Sequence, residues 1–427
     1  MSQRSAEVSS RMFFSPLSSA ATLSKLLNFQ MKILVHDFAG HPFQMTLSRE
    51  LAKRGHDVTH AYFAGDTGPK GNQGSETFDN GGRVVVEAVG KEGGYSKTKF
   101  VSRLFADLAY RKQLSHFLNG REFDIVLSGN TPLWVQGALL TAAKAMGAGF
   151  IYWCQDIYSV AVAQHFEKRL GKLSWPLTRW LTAWDAWLMK RSVHLIHITS
   201  RFSELTDKWG VSAGRTSVIP NWGAIDDLPQ TERQNAWAVR NIPSTAKGRV
   251  LYSGTMGLKH NPQLLVDLAE RLPCEVAVIG SGSGYDQLRE NALTNLHLLP
   301  LQPFEYMSEV LGSGDVLVAV IEREAGEFSV PSKILSYLCA GRPIVLAAPR
   351  DNLASSIIKN AGAGRVVEPE DHNGFVEAVR EILGNSELAT QMGSAARQYA
   401  EEQFKIENVA DRFEAVFDRV STAKSGG

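Results

Sequence analysis

Short apolar runs alternate with helically spaced stretches along most of this chain. "KILVHDF" (Lys32 to Phe38) is such a run, and "TLSRELAKRGH" follows with apolar residues three and four apart, stopping at Gly55. "DVTHAYF", "RVVVEAV", "FDIVLSGN", "GFIYWCQD", "HLIHITS" and "TSVIPNW" read as further strands, separated by helical stretches around Phe100–Leu118 and Leu133–Met146. Near-continuous β-branched runs between helices predict parallel sheets covered on both faces. The polar stretch from Asp226 to Gly248, carrying Pro229 and Pro243, interrupts this rhythm and reads as a linker. A second series follows: "RVLYSGT", "CEVAVIGSGSG", "LHLLPL", "DVLVAVI", "RPIVLAA" and "AGRVVEP", then a closing helical stretch from about Ser386 to Val420.

The pattern predicts an α/β protein of two doubly wound, Rossmann-like domains. The first spans 31–228, a linker 229–247 and the second 248–404, with a helix and tail over 405–427 returning to the first domain. Residues 1–30 are Ser-rich, with Arg4, Arg11 and Lys25 against a lone Glu7; they fit no fold pattern, and Met31, directly before the first strand, reads as the functional start. Ligands in such sheets lie beyond the carboxyl ends of the strands, and two domains place the deepest cleft between them.

Composition narrows the classes. Of 427 residues 44% are hydrophobic, enough for ordinary cores, and 45 Lys plus Arg balance 44 Asp plus Glu. A net charge of +1 argues against a dedicated nucleic-acid binder. Cys154, Cys274 and Cys339 lie too far apart for a CxxC metal pair or a disulfide framework, which points to a reducing, cytoplasmic setting. No stretch approaches the ~18 apolar residues of a membrane-spanning helix.

"VIPNW", "LYSGTMGLKHNP", "VIGSGSGYDQL" and "VPSKILSYLCAGRPIV" (Val330 to Val345), in this order along the chain, together resemble the retaining glycosyltransferases of GT-B fold. The likeness is nearest to members that build bacterial lipid-linked glycans and polysaccharides, and it runs from about Met31 to Val420. It implies two domains facing across a cleft, a nucleotide-sugar donor (UDP by default) on the second domain and a lipid-linked saccharide acceptor on the first. It implies no metal and no cofactor. Pro331 suits a helix start, and the backbone N–H groups of Ser332 and Lys333 with the Lys333 ammonium make an anion site for the donor diphosphate. Gly254 and Gly257 permit close backbone approach, and Lys259 reaches toward the same phosphates; Thr255 stands where many relatives carry Arg. The loop at Gly280 frames the nucleotide base. The fingerprint-like "IGSGSG" lacks the acid that NAD binding requires.

The sequence departs from the family at its best-known signature, a pair of glutamates with seven residues between them. Ser336 stands at the second position and Phe328 eight residues before it; Glu327 or Glu324 is left to supply a carboxylate near the donor, and Ser336 to bond a ribose hydroxyl. On the first domain Gly40 and His41 face the cleft. Asp156 is the candidate to accept the acceptor hydroxyl's proton beside Gln155, where relatives often carry His. His41 and Asp156 are therefore the catalytic candidates. Two other readings stay open: a non-catalytic GT-B partner protein and a nucleotide-sugar 2-epimerase.

"SWPLTRWLTAWDAWLMKR" sets Trp175, Trp180, Trp184 and Trp187 among Lys168, Arg169, Lys172, Arg179, Lys190 and Arg191. Together Ser96–Leu118 and Lys168–Arg191 read as basic, aromatic faces for peripheral contact with the inner face of the plasma membrane.

Overall fold

The computed structural model describes residues 30–66, 72–91, 100–129, 131–160, 162–163, 166, 171–243, 247–257, 260–321, 323 and 332–425. The extension before Gln30 lies outside them. Two sheets organise the chain. The first holds β1 (Lys32–Asp37), β2 (Asp57–Phe63), β3 (Glu76–Thr77), β4 (Arg83–Val89), β5 (Ile125–Gly129), β6 (Gly149–Cys154), β7 (His194–His197) and β8 (Thr216–Val218), in the order β3-β4-β2-β1-β5-β6-β7-β8. All pair in parallel except the two-residue β3. The second holds β9 (Arg249–Thr255), β10 (Glu275–Ser281), β11 (Leu296–Pro300), β12 (Val316–Val320), β13 (Ile344–Ala347) and β14 (Gly364–Val367), all parallel, in the order β11-β10-β9-β12-β13-β14. Every residue of β6 and β12 is buried, as strands covered by helices on both faces must be.

Helices α1 (Pro42–Lys53), α2 (Phe100–Leu118), α3 (Leu133–Ala145), α4 (Trp175–Arg191) and α5 (Ser200–Lys208) belong to the first sheet. After the short α6 (Ala236–Asn241), α7 (Gln263–Arg271), α8 (Ser283–Leu288), α9 (Met307–Gly312), α10 (Ser332–Ala340), α11 (Leu353–Ala361) and α12 (His372–Leu383) belong to the second. Strand order reverses between β1 and β5 and again between β9 and β12. Each reversal opens a crevice at the carboxyl edge, the place for a ligand in such sheets.

The stretch 229–247, expected as a linker, is a docked strap. Thr231 donates to the Ser308 carbonyl, Arg233 pairs with Asp315 at 2.8 Å, Asn235 caps α6, and Trp237 is buried beneath them. Its polar residues are occupied in caps and ion pairs with the second sheet's flank, which is why composition alone reads as a tether. The closing stretch is two helices, α13 (Ser386–Phe404) and α14 (Ile406–Ser425), broken at Lys405, whose ψ of 124° leaves the helical region. The break turns α14 back onto the first sheet's flank. There Arg54 meets Asp411 at 2.7 Å and Glu414 at 2.6 Å, and Phe413 packs edge-on to Trp153.

Candidate active site

At the reversal in the second sheet, β9 ends in Ser253-Gly254-Thr255. Helix α10 crosses that end, and its register is fixed by Tyr337, whose hydroxyl accepts from the Ser253 N–H at 2.8 Å and reaches the Val318 carbonyl of β12 at 3.3 Å. One turn earlier, Lys333 therefore lies over the strand end. Its Nζ donates to the Tyr252 hydroxyl at 2.6 Å and sits 3.9 Å from that ring's centroid. Burial lowers the lysine pKa from 10.5 to about 8. Gly254 has φ of 124°, and a Cβ there would stand 3.2 Å from Lys333 Nζ. A titratable ammonium, the first N–H groups of a nine-residue helix and a side-chain-free turn converge on one point, which is what an anion requires.

The glycines of "IGSGSG" lie against the loop after β9. A Cβ on Gly280 would lie 2.8 Å from the Gly254 carbonyl, on Gly282 2.6 Å from that of Met256, and on Gly284 2.5 Å from that of Gly257. Met256 N–H donates to Ser281 and Gly284 N–H to Met256. These glycines let the β10 loop lie against the β9 loop. They shape the donor turn from behind, and Gly280 is buried in that contact.

On the first sheet, β1 ends in Asp37 and the chain turns through Gly40, at φ of 72°, into α1. His41 is the residue before α1, and its Nδ1 lies 2.9 Å from Asp37 Oδ1. Burial pushes the Asp37 carboxyl up, but hydrogen bonds and charge from His41 outweigh it and hold the pKa below the usual range. The pair fixes the imidazole so that Nε2 is the nitrogen turned away from the carboxylate. Asp37 was not among the residues singled out from the sequence. The signal was present as an acid four residues before His41, at the end of a strand.

Beside this pair the carboxamides of Gln44 and Gln155 flank Gly129: a Cβ on that glycine would be 3.2 Å from Gln44 Oε1 and from Gln155 Nε2. Gln44 is fully buried, and among the described residues neither of its amide atoms has a hydrogen-bond partner. It stands directly before Met45 on the buried face of α1, which also carries Ser48 and Glu50. Asp156 follows β6 on the exposed lip of the same edge. Partial burial raises its carboxyl pKa, partly opposed by the Ile157 N–H.

The two edges line one cleft. In the loop after β8, Trp222 stacks on Trp153 at 5.7 Å between ring centres, and a Cβ on Gly223 would touch Cys339 Sγ of α10 at 2.8 Å. Of the expected site residues, Gly40, His41 and Asp156 gather on the first edge, with Gly254, Thr255 and Lys333 on the second. Ser336 is half-buried one turn along α10 from Lys333. Lys259, Glu327 and Pro331 lie outside the described residues, as does the side chain of Ser332. A larger cavity of about 620 Å³ opens at the amino ends of β9, β12 and β13, lined by Arg233, Lys247 and Arg342. It is on the wrong edge of the sheet for the chemistry assembled here.

Comparison with known proteins gives two family matches in series: Glycosyltransferase Family 4 over residues 44–222 and Glycosyl transferases group 1 over 235–399. WcaI of Escherichia coli K12, a glycosyl transferase named for colanic acid biosynthesis, is 30% identical over 48% of this chain and 52% of its own length. O-antigen chain mannosyltransferase C of Escherichia coli is 25% identical over 61% of this chain and 67% of its own. The chain thus aligns with about half of WcaI's length. Among solved structures, the sucrose-phosphate synthase of Thermosynechococcus elongatus superposes with a TM-score of 0.69 at 14% identity, covering 92% of this chain and all of that one. Alr3699/HepE of Anabaena, solved with UDP and glucose, superposes at 0.63 and 13% identity over 91% of this chain and all of that one. At such identities the structures speak for the fold.

Proposed function

This chain belongs to the GT-B glycosyltransferases, and on that footing we propose that it moves a sugar, with retention, from a UDP-sugar to a lipid-linked saccharide in bacterial cell-surface glycan assembly. The observation that carries this reading is the Lys333 ammonium held over Tyr252 beside Gly254, at the strand reversal of the second sheet. The names of the relatives, colanic acid and O-antigen, support a surface glycan as product. HepE's bound UDP supports the choice of base.

In this reading the donor diphosphate lies on the α10 N-terminus and Lys333, which stabilise the negative charge that builds as the glycosidic bond breaks. The leaving diphosphate takes the acceptor hydroxyl's proton on the same face, so no protein nucleophile is needed. Asp156 and His41, the latter steered by Asp37, orient the acceptor hydroxyl. The partly exposed amide of Gln155 bonds the acceptor saccharide. Lys333 and the helix terminus meet the diphosphate charge, so the transfer is taken to need no metal and no cofactor. The protein works on the cytoplasmic face of the membrane, touching it through the exposed aromatic residues of α2 and α4. Among the described residues no helix is long and apolar enough to cross a membrane.

The test is release of nucleoside diphosphate from UDP-glucose, UDP-N-acetylglucosamine and GDP-mannose, with and without bacterial lipid-linked saccharide. Acceptor-dependent release of UDP is the expected result. Turnover without acceptor would instead support the 2-epimerase. Nucleotide binding with no turnover of any pair would support the non-catalytic partner, for which the absence of glutamates at Phe328 and Ser336 is the motive.

A further inference from the structure

Between α2, α3 and α4 lies a second cavity, about 370 Å³, that the donor and acceptor residues do not use. Its walls are Leu104, Leu108, Trp134, Val162, Trp180 and their apolar neighbours, and its volume falls in the range of small-molecule sites. An apolar space of this kind stays dry and takes apolar guests. The indole N–H of Trp134, buried in its wall, has no hydrogen-bond partner among the described residues. Trp134, Trp180 and Trp184 form one aromatic cluster, with centroids 4.8 to 6.2 Å apart.

The surroundings say which guest fits. Among the described residues, seven of the twelve exposed large apolar side chains belong to the helices and turn around this opening: Phe105, Leu108, Leu173, Trp175, Leu177, Trp180 and Trp187. Arg179 lies over the Trp175 ring at 5.5 Å and Arg191 over Trp187 at 4.4 Å, so an apolar mouth is rimmed by cations. The inner wall continues into the acceptor edge: Tyr158 lines the cavity two residues beyond Asp156. A molecule with a long hydrocarbon tail, an anionic phosphate and a polar head beyond it matches apolar cavity, basic rim and acceptor edge in sequence.

We propose that this cavity holds the hydrocarbon chain of the phosphate-bearing lipid acceptor, drawing its first segment out of the bilayer and presenting the saccharide to Asp156 and His41. The proposal rests on the lipid-linked acceptor reading above. It deepens that reading by assigning the lipid its own site, separate from the general contact of the aromatic face with the membrane.

The experiment uses 12-bromododecyl phosphate below its micelle concentration, read by bromine quenching of the indoles in the full chain without vesicles. The native chain is expected to show saturable quenching. Val162→Phe, which fills the cavity, is expected to weaken binding at least tenfold, and 12-bromododecanol, lacking the phosphate, to bind more weakly than the phosphate ester. Leu108→Gln, at a position 39% exposed and so tolerant of a polar group, is the second variant and is expected to weaken binding similarly. Stabilisation by UDP, measured on the same samples, reports folding and the donor site independently. Equal quenching in the native chain and both variants overturns the proposal. So does quenching that arises only when anionic phosphatidylglycerol vesicles carry the probe, because the aromatic face would then be inserting in the bilayer. Saturable, variant-sensitive quenching without any UDP effect would uphold the cavity and sink the donor assignment instead.

Discussion

Lys333 holds its charge at a cost that a bound diphosphate should repay, and the repayment is measurable as protons. Burial lowers its pKa from 10.5 to about 8, a penalty on the ammonium of up to about 3 kcal/mol, since each pKa unit corresponds to about 1.4 kcal/mol. A diphosphate beside Nζ favours the charged form and raises the pKa again. At pH 8 about half of the free protein carries the proton, so binding UDP should take up close to half a proton. At pH 9 uptake should approach one, and at pH 7 it should be near a tenth. Affinity should accordingly be flat below pH 7 and fall up to tenfold per unit above pH 8. Titration calorimetry in pairs of buffers with different ionisation heats counts these protons directly. Above pH 8 the terminal phosphate of UDP has already titrated and adds nothing to the count.

Two variants sharpen the test. Lys333→Arg keeps the charge without a titration in this range, so it should bind without uptake. Lys333→Met should lose uptake and weaken UDP binding on the order of 100-fold, the most a restored shift of this size supplies. Stability should move the other way. Between pH 8 and 10.5 the unfolded chain holds the Lys333 proton and the folded chain does not, so stability rises with pH across that window. Below pH 8 the full penalty applies. Lys333→Met should therefore be more stable than the native chain at pH 7, by up to about 3 kcal/mol. Proton uptake near zero at pH 8 and 9 in the native chain, or unchanged uptake in Lys333→Met, would refute the assignment.

Asp37→Asn keeps the shape of the carboxylate but loses its charge; acceptor-dependent turnover should drop on the order of 10²- to 10³-fold while UDP affinity holds, and turnover within twofold of native would remove His41 from the chemistry. Gln44→Met deletes two buried amide atoms without partners among the described residues, so the melting temperature should rise by the equivalent of about 1–2 kcal/mol; a fall of similar size would show that the buried amide is satisfied in the folded chain. Gly282→Ala places a Cβ 2.6 Å from the Met256 carbonyl at a φ of 108°, and chemical denaturation should register a loss of about 2 kcal/mol or more, with weaker UDP binding because the donor turn shifts. His36 and His60 are buried with pKa values lowered to about 3 and about 4; the unfolded chain takes up their protons first as pH falls below 6.5, so stability should decline from there to about pH 4 by roughly 1.4 kcal/mol per unit for each, and a flat profile between pH 6.5 and 4.5 would contradict their neutral state.

Among the described residues thirteen of the fourteen strands coincide with an apolar run of the sequence, and the run is most continuous where burial takes every residue, as in β5, β6, β7, β12 and β13. The exception is β3, two exposed residues whose pairing with β4 no hydrophobic period encodes. That the connecting stretch docks through Thr231, Arg233 and Asn235 was not legible, because capping and ion-pairing residues look the same as solvated ones until their partners are known. The site divides along a similar line. Lys333 and Gly254 belong to local motifs and could be read from them. Asp37 gains its meaning from the turn that brings His41 back onto it, and Gln44 from the sheet edge that buries it. The glycines of "IGSGSG" stood out in the sequence only as a fingerprint-like run, because what they approach is the neighbouring β9 loop, a partner 26 to 28 residues away in the chain.

The same logic bears on the missing glutamate at Ser336. A carboxylate three residues after Lys333 on α10 would sit near the ammonium and hold it charged in the free protein. With serine there, and with the described hydrogen bond of Nζ going to the phenol of Tyr252, burial is left as the force on the lysine, and its pKa falls to about 8. The departure from the family's signature therefore changes the donor site in two opposed ways. It removes a strong acceptor for a ribose hydroxyl, which costs affinity. It also leaves Lys333 without a carboxylate partner among the described residues, so that a bound diphosphate would bring it a full counter-charge. A cation that waits for its partner in this way binds more weakly at high pH, yet loses none of its charge to a neighbouring acid when the leaving group develops its own.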